Sequence, residues 1–399
     1  MSLELSKKAL AVKPSATLAI TAKAKELKAA GEDVVGFGAG EPDFNTPDNI
    51  CEAAIKAIKD GFTKYTPASG TNSLKEAVCK KFKDFNGLDY KPSQIVISNG
   101  GKHVLTNIFN VILNPGDEVM IPAPYWLSYP EMVKMADGVP VDVITEFDNE
   151  YKATVADFEK AFTSKTKAIV LNTPSNPTGM LYTKEELEAI AKFAVEKDIY
   201  VVSDEMYEYL TYGDAKHVSI ASLGDEIYKR TITVSGVAKS YAMTGWRIGY
   251  CGAPENVAKA MSAVQSHATS NPNSIAQKAT EEALLGPQDS IAMMKKEFDE
   301  RRKYMYGRVS KFPHVSCHEP QGAFYVFVDA NEAIKLSYKG EKVNSAARLA
   351  EILIDDYKTA VIPCESFAAD GHFRLSYAIS METIKKGLDR IEEFLNELN

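Results

Sequence analysis

The sequence predicts an α/β fold: a mainly parallel central sheet with helices on both faces, beside a smaller α/β domain. Three observations carry this. Short β-branched runs alternate with helical patterns through the middle of the chain, as strands joined by crossover helices do. The two ends lack that alternation and read as helices with isolated strands. At 399 residues, the chain also exceeds the length at which one hydrophobic core is usual, so two domains are expected.

The central strands are expected at residues 94–98, 118–121, 139–144, 168–172, 200–203 and 231–235, where Val, Ile and Thr concentrate. The helix at 184–196 opens after Thr183 and carries Glu185 and Glu186 in its first turn, where carboxylates complement the helix dipole. Near the start, a helix at 15–30 is closed by Gly31, and another at 46–60 has Pro47 at its first position and Gly61 beyond its end. After residue 285 come a charged helix at 289–310, a strand at 323–328, a helix at 344–357, two short strands and a last helix at 381–398. The large domain is expected at 48–285, and the small domain is discontinuous, built from 1–47 and 286–399.

Composition narrows the function. Net charge is −8, which argues against a nucleic-acid or anionic-membrane surface but leaves room for a cationic pocket. Cys51, Cys79, Cys251, Cys317 and Cys364 are scattered without paired spacing, as in a reducing compartment and with no zinc or disulfide framework. No secretory leader and no apolar run of membrane-spanning length is apparent, so a cytoplasmic enzyme without a metal is expected. His314 and His318 are four apart but flanked by Pro313 and Pro320, which spoils a two-histidine helical face.

Chemistry begins at Tyr200-Val201-Val202-Ser203-Asp204-Glu205-Met206-Tyr207. An apolar strand ending in Asp-Glu has three readings: a solvated acidic turn, the magnesium-holding strand of an ATPase, or an Asp at the edge of a parallel sheet facing a protonated pyridine nitrogen. The ATPase needs a phosphate loop, and the nearest candidate, Gly100-Gly101-Lys102-His103, has Val96 and His103 at two required positions. Residues 231–249 narrow the choice. A strand there runs into a small-residue turn that presents Lys239, with Arg247 following. An amine to condense with a carbonyl and a guanidinium to grip a phosphate suit a phosphorylated aldehyde cofactor.

Lys239-Ser240-Tyr241-Ala242-Met243-Thr244-Gly245-Trp246-Arg247 resembles the lysine signature of the class I/II pyridoxal-phosphate aminotransferases. Further resemblances lie in family order: Gly38-Ala39-Gly40-Glu41-Pro42-Asp43-Phe44, Lys64-Tyr65-Thr66-Pro67, Asn172 to Gly179, Asp204 with Tyr207, Gly322-Ala323-Phe324-Tyr325, and Phe373 to Ala378. The resemblance implies the type I fold of pyridoxal-phosphate transferases and an amino-group exchange with ping-pong kinetics. It gives Lys239 the cofactor carbonyl and the α-proton, Asp204 the ring nitrogen, and Tyr207 and Asn176 the ring oxygen. Gly100, Gly101, Lys102 and Arg247 would hold the phosphate, joined by Tyr65 from the neighbouring subunit of a homodimer. Trp126 would stack on the ring, and Arg374, with Gly40 and Asn176, would take the substrate α-carboxylate.

Two departures matter. The serine that many members carry three residues before the lysine is here Gly236, and Ser235 is expected to substitute. No arginine lies between Cys251 and Glu300 to read a distal carboxylate. The chain instead resembles the aspartate aminotransferase branch in which a lysine does so, which assigns Lys102, with Ser15 and Thr17, to acidic substrates. Some members of that branch also act on prephenate. Aromatic or broad-specificity aminotransferases and β-lyases share the scaffold and stay open as alternatives. The run Gly36-Phe37-Gly38-Ala39-Gly40 has the wrong spacing for a dinucleotide fingerprint. A cofactor-sensing transcriptional regulator would need a DNA-binding module, for which the 14 or so residues before the first motif leave no room.

Overall fold

The computed structural model describes residues 4–12 and 16–399. Its centre is a seven-stranded sheet: β1 Ile95–Ser98, β2 Glu118–Ala123, β3 Val139–Ile144, β4 Thr166–Asn172, β5 Tyr200–Asp204, β6 Thr231–Gly236 and β7 Gly249–Gly252. The spatial order is β1-β7-β6-β5-β4-β2-β3. All neighbours run parallel except β7, which is antiparallel to both β1 and β6.

Because side chains alternate along a strand, central strands such as β2, β4 and β5 feed two cores. Val96, Val119, Val170, Val202 and Val234 pack on one face with Val104, Ile108 and Phe109 of the helix Gly101–Ile112. Met120, Ile169, Leu171 and Val201 face Leu187, Ile190 and Phe193 of the helix Lys184–Glu196 on the other. Each such aliphatic side chain contributes about 1.5–3 kcal/mol on full burial, and this two-sided burial keeps β4 and β5 in register. The helix Lys184–Glu196 begins where expected: the Thr183 hydroxyl accepts from Glu186 N–H at 3.2 Å, and the Glu186 carboxylate accepts from Thr183 N–H at 2.7 Å.

A second, antiparallel sheet runs in the order Ile362–Pro363, His372–Ser376, Tyr325–Asp329, Ser316–Cys317. Its core takes Met294, Phe298 and Met305 from the helix Asp289–Val309 and Ile384, Leu388 and Ile391 from the helix Met381–Asn396. The N-terminal part packs on the same core through Val35 and Phe37, and Val35–Gly36 pairs in parallel with Thr359–Ala360 as a separate two-stranded sheet.

Several boundaries move. The strand expected at 323–328 is Tyr325–Asp329, because Ala323 sits at φ 58 and cannot extend a strand. Pro47 is the N-cap of the helix Asp48–Lys59 and not its first residue. Strand β7 was not expected. The helix Asn72–Lys81 continues into a π-helical turn, Phe82–Asn86, a rare geometry that redirects the side chains at its end. No helix among the described residues is long and apolar enough to cross a membrane.

Candidate functional site

Parallel strands deliver their carboxyl ends to one edge, and ligands of open α/β sheets bind there. Asp204 is the last residue of β5, Ser98 the last of β1, and Gly236 the last of β6, three residues before Lys239. A cavity of about 630 Å³ lies at this edge, also bounded by residues of the second sheet and its N-terminal partner segment. Gly40, Gly101, Lys102, Trp126, Asn176, Asp204, Tyr207, Lys239, Arg247 and Arg374 all line it. The sequence-derived residues thus converge from widely separated stretches of chain.

Asp204 is buried, and burial pushes its carboxyl up to about 6, against hydrogen bonds from the Tyr129 hydroxyl (2.7 Å) and the Met206 N–H (3.2 Å) that favour the carboxylate. A charge held at that cost calls for a cation beside it. Lys239 has the complementary state: burial lowers its amine to about 8, with Arg374 and Arg247 adding to the effect and Glu41 and Asp204 opposing it. Its ammonium donates to the Gly40 carbonyl.

The anion-binding side is equally explicit. Gly100 has φ 88 and precedes the helix Gly101–Ile112, whose first N–H groups lack intrahelical acceptors. A Cβ at Gly100 would lie 2.5 Å from Arg247 Nη2, so glycine is what lets the guanidinium close on this helix start. Arg247, itself at φ 57, donates to the Thr244 carbonyl at 2.8 Å. Arg374 is 3% exposed. Its Nη1 donates to Asn176 Oδ1 at 2.8 Å and its Nε has no partner. Lys102 Nζ lies 5.0 Å over the Trp126 ring, its amine pushed down by burial and by Arg247. Among the described residues, none of these three cations has a carboxylate partner. The acidic side chains of the cavity are Glu41 and Asp204, and Lys25 and Lys28 add to its basic ones. In a chain of net charge −8, this cavity is a local trap for anions.

The turn after Asp204 is fastened from behind. Asp204 and Tyr207 face the cavity, whereas Glu205 and Glu208 enter a buried polar cluster. Glu205 accepts from Ser203 and Ser219 at 2.8 Å each and meets His217 Nε2 at 2.8 Å. Glu208 pairs with Lys81 and accepts from Asn86 at 2.7 Å. Burial would raise Glu208, but Lys81, His217 and Ser235 hold it below the ordinary glutamate range. Glu205, Glu208 and His217 together could ligate a metal, yet the cation seated on Glu208 is the Lys81 ammonium.

Ser235 requires a correction. Its hydroxyl donates to Glu208 and is buried in this cluster, so it does not reach the cavity as a phosphate ligand. Tyr65 is 89% exposed and outside the cavity. Ser15 lies outside the described residues, as does the side chain of Thr17. Tyr129, which holds Asp204, and Tyr325, whose hydroxyl is 3.1 Å from that of Tyr207, had no expected role. Tyr325 ends a quoted motif, and that was the available signal. For Tyr129 there was none beyond its nearness to Trp126.

The residues present fit a phosphorylated pyridine: a buried carboxylate that favours a cationic partner, a lowered amine, and a glycine-opened helix start closed by an arginine. Comparison with known proteins agrees. The family model of class I and II aminotransferases matches residues 32–391. The aspartate aminotransferase of Geobacillus stearothermophilus is 48% identical over 98% of this chain and 99% of its own. The probable aspartate/prephenate aminotransferase of Aquifex aeolicus is 47% identical over 97% of each. Among solved structures, the Thermus thermophilus aspartate aminotransferase with maleate superposes with TM-score 0.93 at 43% identity, over 98% of this chain and 100% of that one. The Rhizobium meliloti aspartate aminotransferase superposes with TM-score 0.97 at 37% identity over the whole of both chains.

Proposed function

Because the chain belongs to the class I and II aminotransferases, we propose that it is an aspartate aminotransferase, moving the amino group between L-aspartate or L-glutamate and 2-oxo acids by a ping-pong route with pyridoxal 5'-phosphate. The observation that carries the acidic substrate is the pair Arg374 and Lys102. Both are cations of one cavity, and neither has a carboxylate partner among the described residues. Arg374 presents a planar fork suited to an α-carboxylate, and Lys102 supplies a point charge for the distal one. Maleate, the dicarboxylate in the Thermus thermophilus structure, has the same two-anion character.

When bound, the cofactor supplies an electron-accepting ring for charge developing at the substrate α-carbon. Asp204, ionised, would face the ring nitrogen and favour its protonated form. Arg247 and the helix start at Gly100 and Gly101 would hold the phosphate, and the Trp126 indole would lie against the ring. Tyr207 would donate to the ring oxygen, with Asn176 beside it. Lys239, lowered to about 8, gives up and regains a proton near neutral pH, which equips its Nζ to take the α-proton of the substrate. Gly40, whose carbonyl tethers the resting Lys239, borders the α-carboxylate position.

The reading extends to a homodimer in the cytoplasm, in which the partner subunit's Tyr65 completes the phosphate site. Its strong exposure here supports that. The large domain is read at 48–285, with 1–47 and 286–399 closing on substrate; crystals with and without a dicarboxylate would show no rigid-body shift if this is wrong. Ser15 and Thr17 are kept on the acidic-substrate side.

The test of function is the visible spectrum of the protein loaded with pyridoxal phosphate. A yellow band that collapses on adding aspartate and returns with 2-oxoglutarate is the expected result, and prephenate is the next acceptor to try. A yellow band indifferent to aspartate would remove the substrate assignment, and release of pyruvate and ammonia would mark a β-lyase. Absence of any band would overturn the Lys239 assignment.

A further inference from the structure

Tyr325 opens the strand Tyr325–Asp329 and is 1% exposed. Antiparallel pairing sets Phe327 opposite Arg374 and Tyr325 opposite Ser376, so Tyr325 and Arg374 share one face of the sheet as diagonal neighbours within reach of long side chains. The contact is made: Arg374 Cζ lies 4.2 Å from the Tyr325 ring centroid, with the Phe367 ring at 5.5 Å. At its other end, the Tyr325 hydroxyl is 3.1 Å from the Tyr207 hydroxyl, and among the described residues neither has another hydrogen-bond partner. Tyr207 is 5% exposed.

Resting on the reading in which Tyr207 donates to the ring oxygen, we propose that Tyr325 is a positioning residue that fixes both the proton of Tyr207 and the plane of Arg374. A phenol carries one proton. If Tyr207 gives its own to the cofactor, the 3.1 Å bond is filled only by the proton of Tyr325. Tyr207 then accepts while it donates, and a hydroxyl that accepts is polarised into a better donor. Meanwhile the Arg374 guanidinium, with one hydrogen bond to Asn176 and an unpartnered Nε, is oriented largely by the ring face beneath it. One side chain therefore sets the hold on the cofactor's ring oxygen and on the substrate's carboxylate.

The two roles separate by substitution. Tyr325→Phe removes the hydroxyl and keeps the ring, and Tyr325→Leu removes both. Donation to the ring oxygen favours its anionic form, so weaker donation raises the pH at which the visible band of the loaded enzyme changes. Tyr325→Phe is expected to raise that midpoint by about 0.3–1 pH unit, the scale of one neutral hydrogen bond, with maleate affinity within about twofold of wild type. Tyr325→Leu is expected to raise the midpoint similarly and to weaken maleate about tenfold. Thermal midpoints of both variants and a Tyr207→Phe control are measured alongside. A midpoint moved by Tyr207→Phe but not by Tyr325→Phe, even with lowered thermal stability, makes Tyr325 a packing residue only and overturns the proposal. A midpoint moved by neither removes the Tyr207 assignment and this inference with it. Equal weakening of maleate by Phe and Leu overturns the role given to the ring.

Discussion

Replacing Asp204 by asparagine is expected to stabilise the unloaded protein while disabling the loaded one. Burial raises the Asp204 carboxyl from the ordinary aspartate range to about 6, which costs the folded carboxylate about 3 kcal/mol. A carboxyl whose folded pKa is raised contributes fully below its unfolded value. That contribution is lost as pH rises through about 6. At pH 7.5 the unloaded wild type therefore carries the whole penalty, and the Asp204→Asn variant carries none. With an unfolding entropy of about 2.1 cal/mol/K per residue, the variant's thermal midpoint should lie roughly 3–4 °C higher. The gap should close near pH 4. With cofactor the sign reverses, because a ring cation beside a carboxylate turns the penalty into a buried ion pair, and breaking such a pair costs about 3–5 kcal/mol. Cofactor affinity and turnover should fall at least about a hundredfold. The assay is a thermal melt of cofactor-stripped protein from pH 4 to 8, followed by a cofactor titration. If the stripped variant melts no higher than wild type at pH 7.5, the account of Asp204 as a strained charge awaiting a cation is wrong.

Lys102→Ala should lower kcat/KM for aspartate by about 10–150-fold, the scale of a charge-assisted hydrogen bond, with little change for an uncharged amino acid. Equal losses on both would refute the distal-carboxylate role. Gly100→Ala forces a Cβ to 2.5 Å from Arg247 Nη2 at φ 88, so phosphate affinity should fall by at least about tenfold, measured as cofactor dissociation by equilibrium dialysis. Unchanged affinity would show that the arginine closes elsewhere. Tyr65→Phe should weaken the cofactor several-fold, and dimers mixed with a Lys239→Ala chain should recover part of the affinity if the tyrosine acts across subunits.

The fold was legible wherever apolar β-branched runs met capped helices, because burial on both faces of β4 and β5 writes itself into unbroken apolar runs, Ala168 to Leu171 and Val201-Val202. Strand β7 escaped because Gly249-Tyr250-Cys251-Gly252 has neither pattern nor propensity. Its glycines answer to neighbours instead: a Cβ at Gly249 would sit 2.4 Å from Gly101 N, and one at Gly252 would sit 2.3 Å from the Tyr90 ring. Ser235 was misplaced by strand parity, since one residue along β6 reverses the face, and its hydroxyl serves Glu208. The cluster of Lys81, Asn86, Glu205, Glu208 and His217 left no signal. Its members come from distant segments, and the π-turn Phe82–Asn86 that aims Asn86 inward obeys no local rule readable from its residues. Lys239, Arg247, Asn176 and Arg374 stood out because their motifs are local.

The pairing of Val35–Gly36 with Thr359–Ala360 sets an order of events during synthesis. Phe37 N–H donates to the Ala360 carbonyl at 2.8 Å, and the Phe37 carbonyl accepts from Ser376 N–H at 2.9 Å. The segment that carries Gly38 to Glu41 thus lacks its strand partners until Thr359–Ala360 and Ser376 are made, although Lys239 and Thr244, which bond Gly40 and Glu41, are made earlier. At about 5–20 residues per second, that wait is roughly 20–70 s. The sheet bearing Asp204 and Lys239 can form in the meantime, with its anion-binding wall unfinished. Arg374 is made after all seven strands of the central sheet. A chain cut short before Arg374 would therefore hold every strand of the central sheet and lack the guanidinium read here for the α-carboxylate, so amino-group transfer reports synthesis past that residue.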